Sequence, residues 1–132
     1  MDQDTKSQNL KILLVENSKT ARLALTQQLS QAGFRIESVS NGLEAIEQIK
    51  TKHFDVAILD VFMPQMNGYE AAKAIRALPD NRGQLTLIAL TASQDPNDYN
   101  LCIDAGMDEF IIKTEKNEDL IETLTRHQEE RG

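Results

Sequence analysis

Only one cysteine, Cys102, occurs in the 132 residues, so the chain cannot close a disulfide on itself. That fits a reducing compartment, and the cysteine reads as a small apolar helix residue. Long hydrophobic runs are missing too. No stretch approaches the roughly 20 apolar residues that cross a bilayer, and the polar start MDQDTKSQN lacks the apolar core of a secretory leader. The expectation is a soluble, cytoplasmic protein with no membrane insertion. Positive charge is in deficit: 14 Lys and Arg against 21 Asp and Glu leave a net charge of -7. Such a surface repels a phosphate backbone, which argues against direct nucleic-acid binding. Low-complexity tracts are absent, and an apolar content of 40% is ordinary for an ordered globule.

What is present is a regular alternation of short apolar runs and amphipathic stretches. Length and composition suit one domain over residues 10–130, behind a loose polar tail at 1–9. Leu10 to Val15 reads as a strand buried on both faces. Ser18 is placed to cap a helix to Ala32, with Ala21, Leu25, Leu29 and Ala32 as its apolar stripe and Gly33 as its stop. Phe34 to Ser40 reads as an edge strand. Asn41 and Glu44 are spaced as a capping box for a second helix, striped by Leu43, Ile46 and Ile49.

Val56 to Leu59 ends on Asp60, and a turn carrying Pro64 and Gly68 leads into a third helix that Pro79 stops. After a loop at 80–84, Leu85 to Leu90 closes on Thr91. Asp95 and Pro96 start a short helix that Gly106 ends. Glu109 to Ile112 is a fifth strand, closing on Lys113, and a last helix covers about 117–128, with 129–131 as a frayed charged end. Five strands alternating with helices predict an α/β fold, a parallel sheet covered on both faces in three layers.

In such a sheet the strand ends share one edge, where ligands bind. Glu16 with Asn17, Asp60, Thr91 and Lys113 stand at those ends. Each alone is ordinary, since a lone Asp after a strand is commonly a helix cap and a lone Lys a solvated charge. Together they form a chemical set. A carboxylate can attack phosphorus to give an acyl phosphate. The transferred group spreads negative charge over its oxygens and needs cations and donors around it. Glu16 and Asp60 suit Mg²⁺, Lys113 suits the phosphoryl charge, and Thr91 can donate to it.

The segments VENSKTAR at 15–22, DVFMPQMNG at 60–68, ALTA at 89–92 and AGMDEFIIK at 105–113 resemble the receiver (CheY-like) domain of two-component response regulators. AGMDEF resembles most the receivers of hybrid histidine kinases and phosphorelays. The resemblance implies a flavodoxin-like, doubly wound sheet of order 2-1-3-4-5 and phosphorylation of Asp60 by a histidine kinase or histidine phosphotransfer protein. It also implies the Phe62 backbone carbonyl as a further metal ligand and a switch made by Thr91 and Phe110. Signalling through the face of the fourth helix, fifth strand and last helix follows, in a monomer or weak homodimer that is not an enzyme in its own right.

Two positions depart from the family's pattern. Asn17 stands where a metal-contacting acid is usual, which predicts weakened Mg²⁺ binding and slower phosphorylation. A pseudo-receiver working without phosphorylation is therefore the nearest rival. Thr114 stands where proline follows the lysine, and a cis bond before a non-proline residue costs about 2.5–4 kcal/mol, so a trans bond is expected. An aspartate-nucleophile phosphatase would want a general acid where Phe62 stands. A flavin-binding turn would not carry Glu16, which repels phosphate. His53 and His127 have no partner ligands at helical spacing, and Met63, Met66 and Met107 read as packing or loop residues.

Overall fold

The computed structural model describes residues 10–63 and 66–131. The tail at 1–9 and the turn residue Pro64 lie outside them. Five strands, β1 (Lys11–Val15), β2 (Arg35–Val39), β3 (Val56–Asp60), β4 (Thr86–Thr91) and β5 (Glu109–Ile112), form one parallel sheet in the order β2-β1-β3-β4-β5. The helices are α1 (Lys19–Gln31), α2 (Gly42–Thr51), α3 (Gly68–Arg76), α4 (Pro96–Asp104) and α5 (Glu118–Arg131). The doubly wound arrangement is the one expected.

The strand residues divide by parity, because successive side chains point to opposite faces. On one face Leu13, Val15, Ala57, Leu59, Leu87 and Ala89 meet Ala45 and Ile49 of α2, Ala72 and Ile75 of α3, and Cys102 of α4. On the other, Ile12, Leu14, Ile58, Ile88 and Leu90 meet Leu25 and Leu29 of α1 and Leu120 and Leu124 of α5. The Val, Leu and Ile side chains buried this fully are each worth about 1.5–3 kcal/mol of transfer free energy. β1, β3 and β4 lie between two neighbours, which explains why their sequences are apolar runs rather than alternations.

Several local expectations are corrected. Leu43 is exposed, and the buried stripe of α2 is Gly42, Ala45 and Ile49. Ala32 is exposed at the end of α1, where Gly33 takes φ +99° as the stop. Asn41 does cap α2, accepting from the Glu44 N–H at 2.8 Å, but the Glu44 carboxylate accepts from the Ser40 N–H instead of closing the box. A complete box stands at Asn67 and Glu70 on α3. A short 3₁₀ turn, Arg82–Gln84, occupies part of the expected loop, and α5 continues to Arg131 instead of fraying at 129. No peptide bond among the described residues is cis, so Lys113–Thr114 is trans as expected.

At the pole where the strands begin, Arg76 at the end of α3 holds several segments at once. Its guanidinium donates to the carbonyls of Gly106, Gly83 and Leu85 at 2.8, 2.7 and 2.6 Å and to Asp108 Oδ2 at 2.8 Å. Gly83 packs so closely that a Cβ there would lie 2.2 Å from the Ile75 carbonyl oxygen.

Candidate functional site

The opposite edge gathers the polar residues. Glu16 follows β1, Asp60 ends β3 and Lys113 follows β5, and the strand order sets β1 and β4 on either side of β3. Lys113 Nζ lies 3.1 Å from Glu16 Oε1 and 3.7 Å from Asp60 Oδ2. A lysine and a glutamate 97 positions apart thus meet through the fold alone. Glu16, Asn17, Ser18, Asp60, Phe62 and Lys113 line one open cleft of about 330 Å³. A larger hollow, about 790 Å³, lies at the far pole beside Lys52, His53 and Asp55. There Lys52 pairs with Glu37 and His53 with Asp55, and no pair of carboxylates shares an ammonium as Glu16 and Asp60 do.

Local bonds fix the cleft's walls. Glu16 is nearly inaccessible at 2% exposure, and its second oxygen accepts from the Ser18 N–H at 3.0 Å. Arg22, one turn into α1, donates to the Glu16 carbonyl at 2.8 Å and steadies the loop from behind. Asp60 Oδ1 accepts from the Phe62 N–H at 3.2 Å. The turn after Asp60 closes where the Gly68 N–H meets the Val61 carbonyl at 2.9 Å. A Cβ on Gly68 would stand 2.8 Å from the Asp60 carbonyl oxygen, so only glycine lets α3 begin there.

The electrostatics follow from burial and crowding. Desolvation pushes the Asp60 carboxyl up from 3.8 to about 6, the Glu16 charge adds to the rise, and Lys113 and the Phe62 N–H oppose it. Two carboxylates share one ammonium, leaving a surplus negative charge suited to a further cation. Hard oxygens from two carboxylates, with the Asn17 amide on the same wall, match what Mg²⁺ takes alongside water. No group of three or more His, Cys, Asp or Glu side chains gathers to hold a metal among the described residues, so the acids here are a pair.

Thr91 and Phe110 do not line the cleft. Thr91 is fully buried at the end of β4, and its Oγ1 accepts from the Ser93 N–H at 3.0 Å. Phe110, half-buried on β5, meets the ring of Tyr99 edge-on with centroids 5.6 Å apart. Ser18 caps α1 as expected, accepting from the Ala21 N–H at 3.2 Å, but sequence reasoning missed its bond to Glu16 and the parts played by Arg22 and Ser93. Each acts through a main-chain group, which residue type and spacing do not register. His53 pairs with Asp55 and His127 with Glu109.

Comparison with known proteins bears on the family and the fold. A 41%-identical relative, hybrid signal transduction histidine kinase M of Dictyostelium discoideum, aligns with 77% of the chain and 4% of its own length. Hybrid signal transduction histidine kinase B of the same organism is 32% identical over 89% of the chain and 6% of its length. Response regulator MprA of Mycobacterium ulcerans is 31% identical over 86% and 47%. The chain thus spans less than half of these curated relatives. Among solved structures, the receiver domain of a Pseudomonas aeruginosa sensor histidine kinase, with magnesium coordinated in its active-site cleft, superposes with a TM-score of 0.82. It is 30% identical, with 92% of this chain and 98% of that one covered. Vibrio cholerae chemotaxis protein CheY4 also gives 0.82 at 30% identity, covering 89% and 98%. The family model for the response regulator receiver domain matches residues 12–125, and the chain belongs to that family.

Proposed function

We propose that Asp60 accepts a phosphoryl group from a phosphohistidine donor, on a histidine kinase or a histidine phosphotransfer protein, and that the modified chain signals through the face of α4, β5 and α5. The carrying observation is the Asp60 carboxylate at the end of the central strand, held with Glu16 around one lysine ammonium. Asp60 attacks as the carboxylate, which predominates above about pH 6. Its oxygen forms the new bond to phosphorus while the bond from phosphorus to the imidazole nitrogen breaks, and the imidazole leaves with that electron pair. Lys113, already 3.7 Å from Asp60, pairs with the added phosphoryl charge.

Glu16, Asp60, the Asn17 amide oxygen and the Phe62 carbonyl would hold Mg²⁺. Bound there, the ion supplies positive charge to the phosphoryl oxygens. Thr91 and Phe110 read the modification and pass it to the signalling face. The chain acts in the cytoplasm as a monomer or weak homodimer, catalysing at most its own phosphorylation and dephosphorylation.

Incubation with a small phosphodonor and Mg²⁺, followed by intact mass, tests the reading. The expected result is a gain of one phosphoryl group in the parent and none in Asp60→Asn. A second reading rests on Asn17, which leaves the cleft one acid short: an interaction module that works without phosphorylation. No gain at saturating Mg²⁺ would favour it.

A further inference from the structure

Thr91 is fixed from outside its own strand. Its oxygen accepts from the Ser93 N–H, so the hydroxyl's own proton remains to be given. Ser93 is itself held: its hydroxyl donates to Asp98 Oδ2 and accepts from the Asp95 N–H at 3.2 Å. The other Asp98 oxygen accepts from the Tyr69 hydroxyl at 3.1 Å, a bond between residues 29 positions apart.

We propose that Tyr69, Asp98 and Ser93 form a latch that positions the Thr91 hydroxyl and ties that position to the first turn of α4. Helix capping does not account for it. Asp95 already caps α4, accepting from the Asn97 N–H at 2.9 Å, and the Tyr69 hydroxyl arrives from α3. Tyr69 stands beside Gly68, whose N–H bonds to the residue after Asp60. The latch therefore closes a ring that joins the turn after Asp60 to the turn after Thr91. Burial and the bond to Asp98 hold the Tyr69 proton more firmly than in free tyrosine, so the hydroxyl stays a donor.

What the latch restrains is loosely held otherwise. On α4 only Cys102 is buried, while Tyr99, Leu101 and Ile103 are exposed. Tyr99 follows Asp98 directly and carries the edge-on contact to Phe110. Opening the latch frees that turn to shift against Phe110. The role of Thr91 in this inference rests on the phosphoacceptor reading above; the latch does not.

Tyr69→Phe removes one oxygen and leaves the ring. Amide hydrogen exchange in the full chain, without phosphodonor, is expected to accelerate at Ser93 by about tenfold, the worth of one hydrogen bond to a charged group. Exchange at the Gly33 N–H, which closes the far end of α1 on the Ser30 carbonyl and opens without breaking the latch, is expected to stay within about twofold, separating loosening at the latch from a general loss of structure. Asp98→Asn should act in the same direction. With a small phosphodonor, at matched occupancy by mass, the Phe110 ring shift that phosphorylation produces in the parent should fall to about half or less in Tyr69→Phe. Ser93 exchange unchanged in both variants, equal acceleration at Ser93 and Gly33, or an undiminished Phe110 response each overturns the inference. A parent chain that gains no phosphoryl mass counts against the phosphoacceptor reading instead, and Ser93 exchange still decides the latch.

Discussion

Replacing Asp60 by Asn is expected to make the protein more stable at neutral pH, and the size of the gain can be worked out. The folded-state carboxyl is raised from 3.8 to about 6, mainly by burial and then by Glu16. For a group raised in this way, the stability it contributes is whole below the unfolded value and is lost as pH rises through the folded one. At about 1.4 kcal/mol per pH unit of displacement, the ionised carboxylate costs the parent roughly 3 kcal/mol above about pH 6. Asn keeps the shape and an oxygen for the Phe62 N–H. It gives up the 3.7 Å pairing with Lys113, whose favourable effect is already contained in that value. The stability gap between variant and parent should therefore widen by roughly 2 kcal/mol from about pH 4 to about pH 7.5. Urea unfolding with a chelator present, at several pH values, reads it directly as a shift in midpoint. Added Mg²⁺ should narrow the gap by binding the parent better. A gap that is flat with pH would show that crowding of Asp60 by Glu16 and burial does not govern this site.

Further expectations follow from the same residues. Asn17→Asp should tighten Mg²⁺ binding by at least about tenfold in a titration, because it restores a charged oxygen to the cleft; equal affinities would refute the view that Asn17 weakens the site. Lys113→Met should raise the Asp60 carboxyl above about 6, since Lys113 is one of the groups holding it down, and carboxyl titration by NMR measures this. It should also cost roughly 1–2 kcal/mol in stability, because the buried Glu16 carboxyl loses the ammonium that stands 3.1 Å from it. Gly83→Ala should cost about 2–3 kcal/mol in thermal or urea unfolding, as its Cβ would meet the Ile75 carbonyl at 2.2 Å.

The sheet was legible because its signals are repeated and local. Apolar runs mark β1, β3 and β4, caps and glycines mark the helices between the strands, and parallel topology then forces Glu16, Asp60, Thr91 and Lys113 to one edge. Leu43 misled because an apolar residue at helical spacing need not face the core. On α2 Gly42 and Ala45 take inward positions beside Ile49, and Met66 packs against Gly42. The least legible parts are bonds between distant side chains and main-chain groups. Nothing in the spacing of Tyr69, Ser93 and Asp98 announces a shared hydrogen-bond chain. Nor does Gln28 announce its contacts with Asn117 and with the Glu115 carbonyl, beside the lysine that closes the cleft.

The Arg76 guanidinium gives the molecule a stationary end. One side chain fastens α3 to the turns before β4 and β5 through four bonds, and Asp108 extends the fastening by accepting from the Leu87 N–H at 2.9 Å. If phosphorylation rearranges the loops beyond Asp60 and Thr91 as proposed, this fastening favours confining the change to the carboxyl edge. Probes or fusion partners belong at that fastened end, at exposed positions such as Thr51 or Gln84, away from the cleft of Glu16, Asp60 and Lys113.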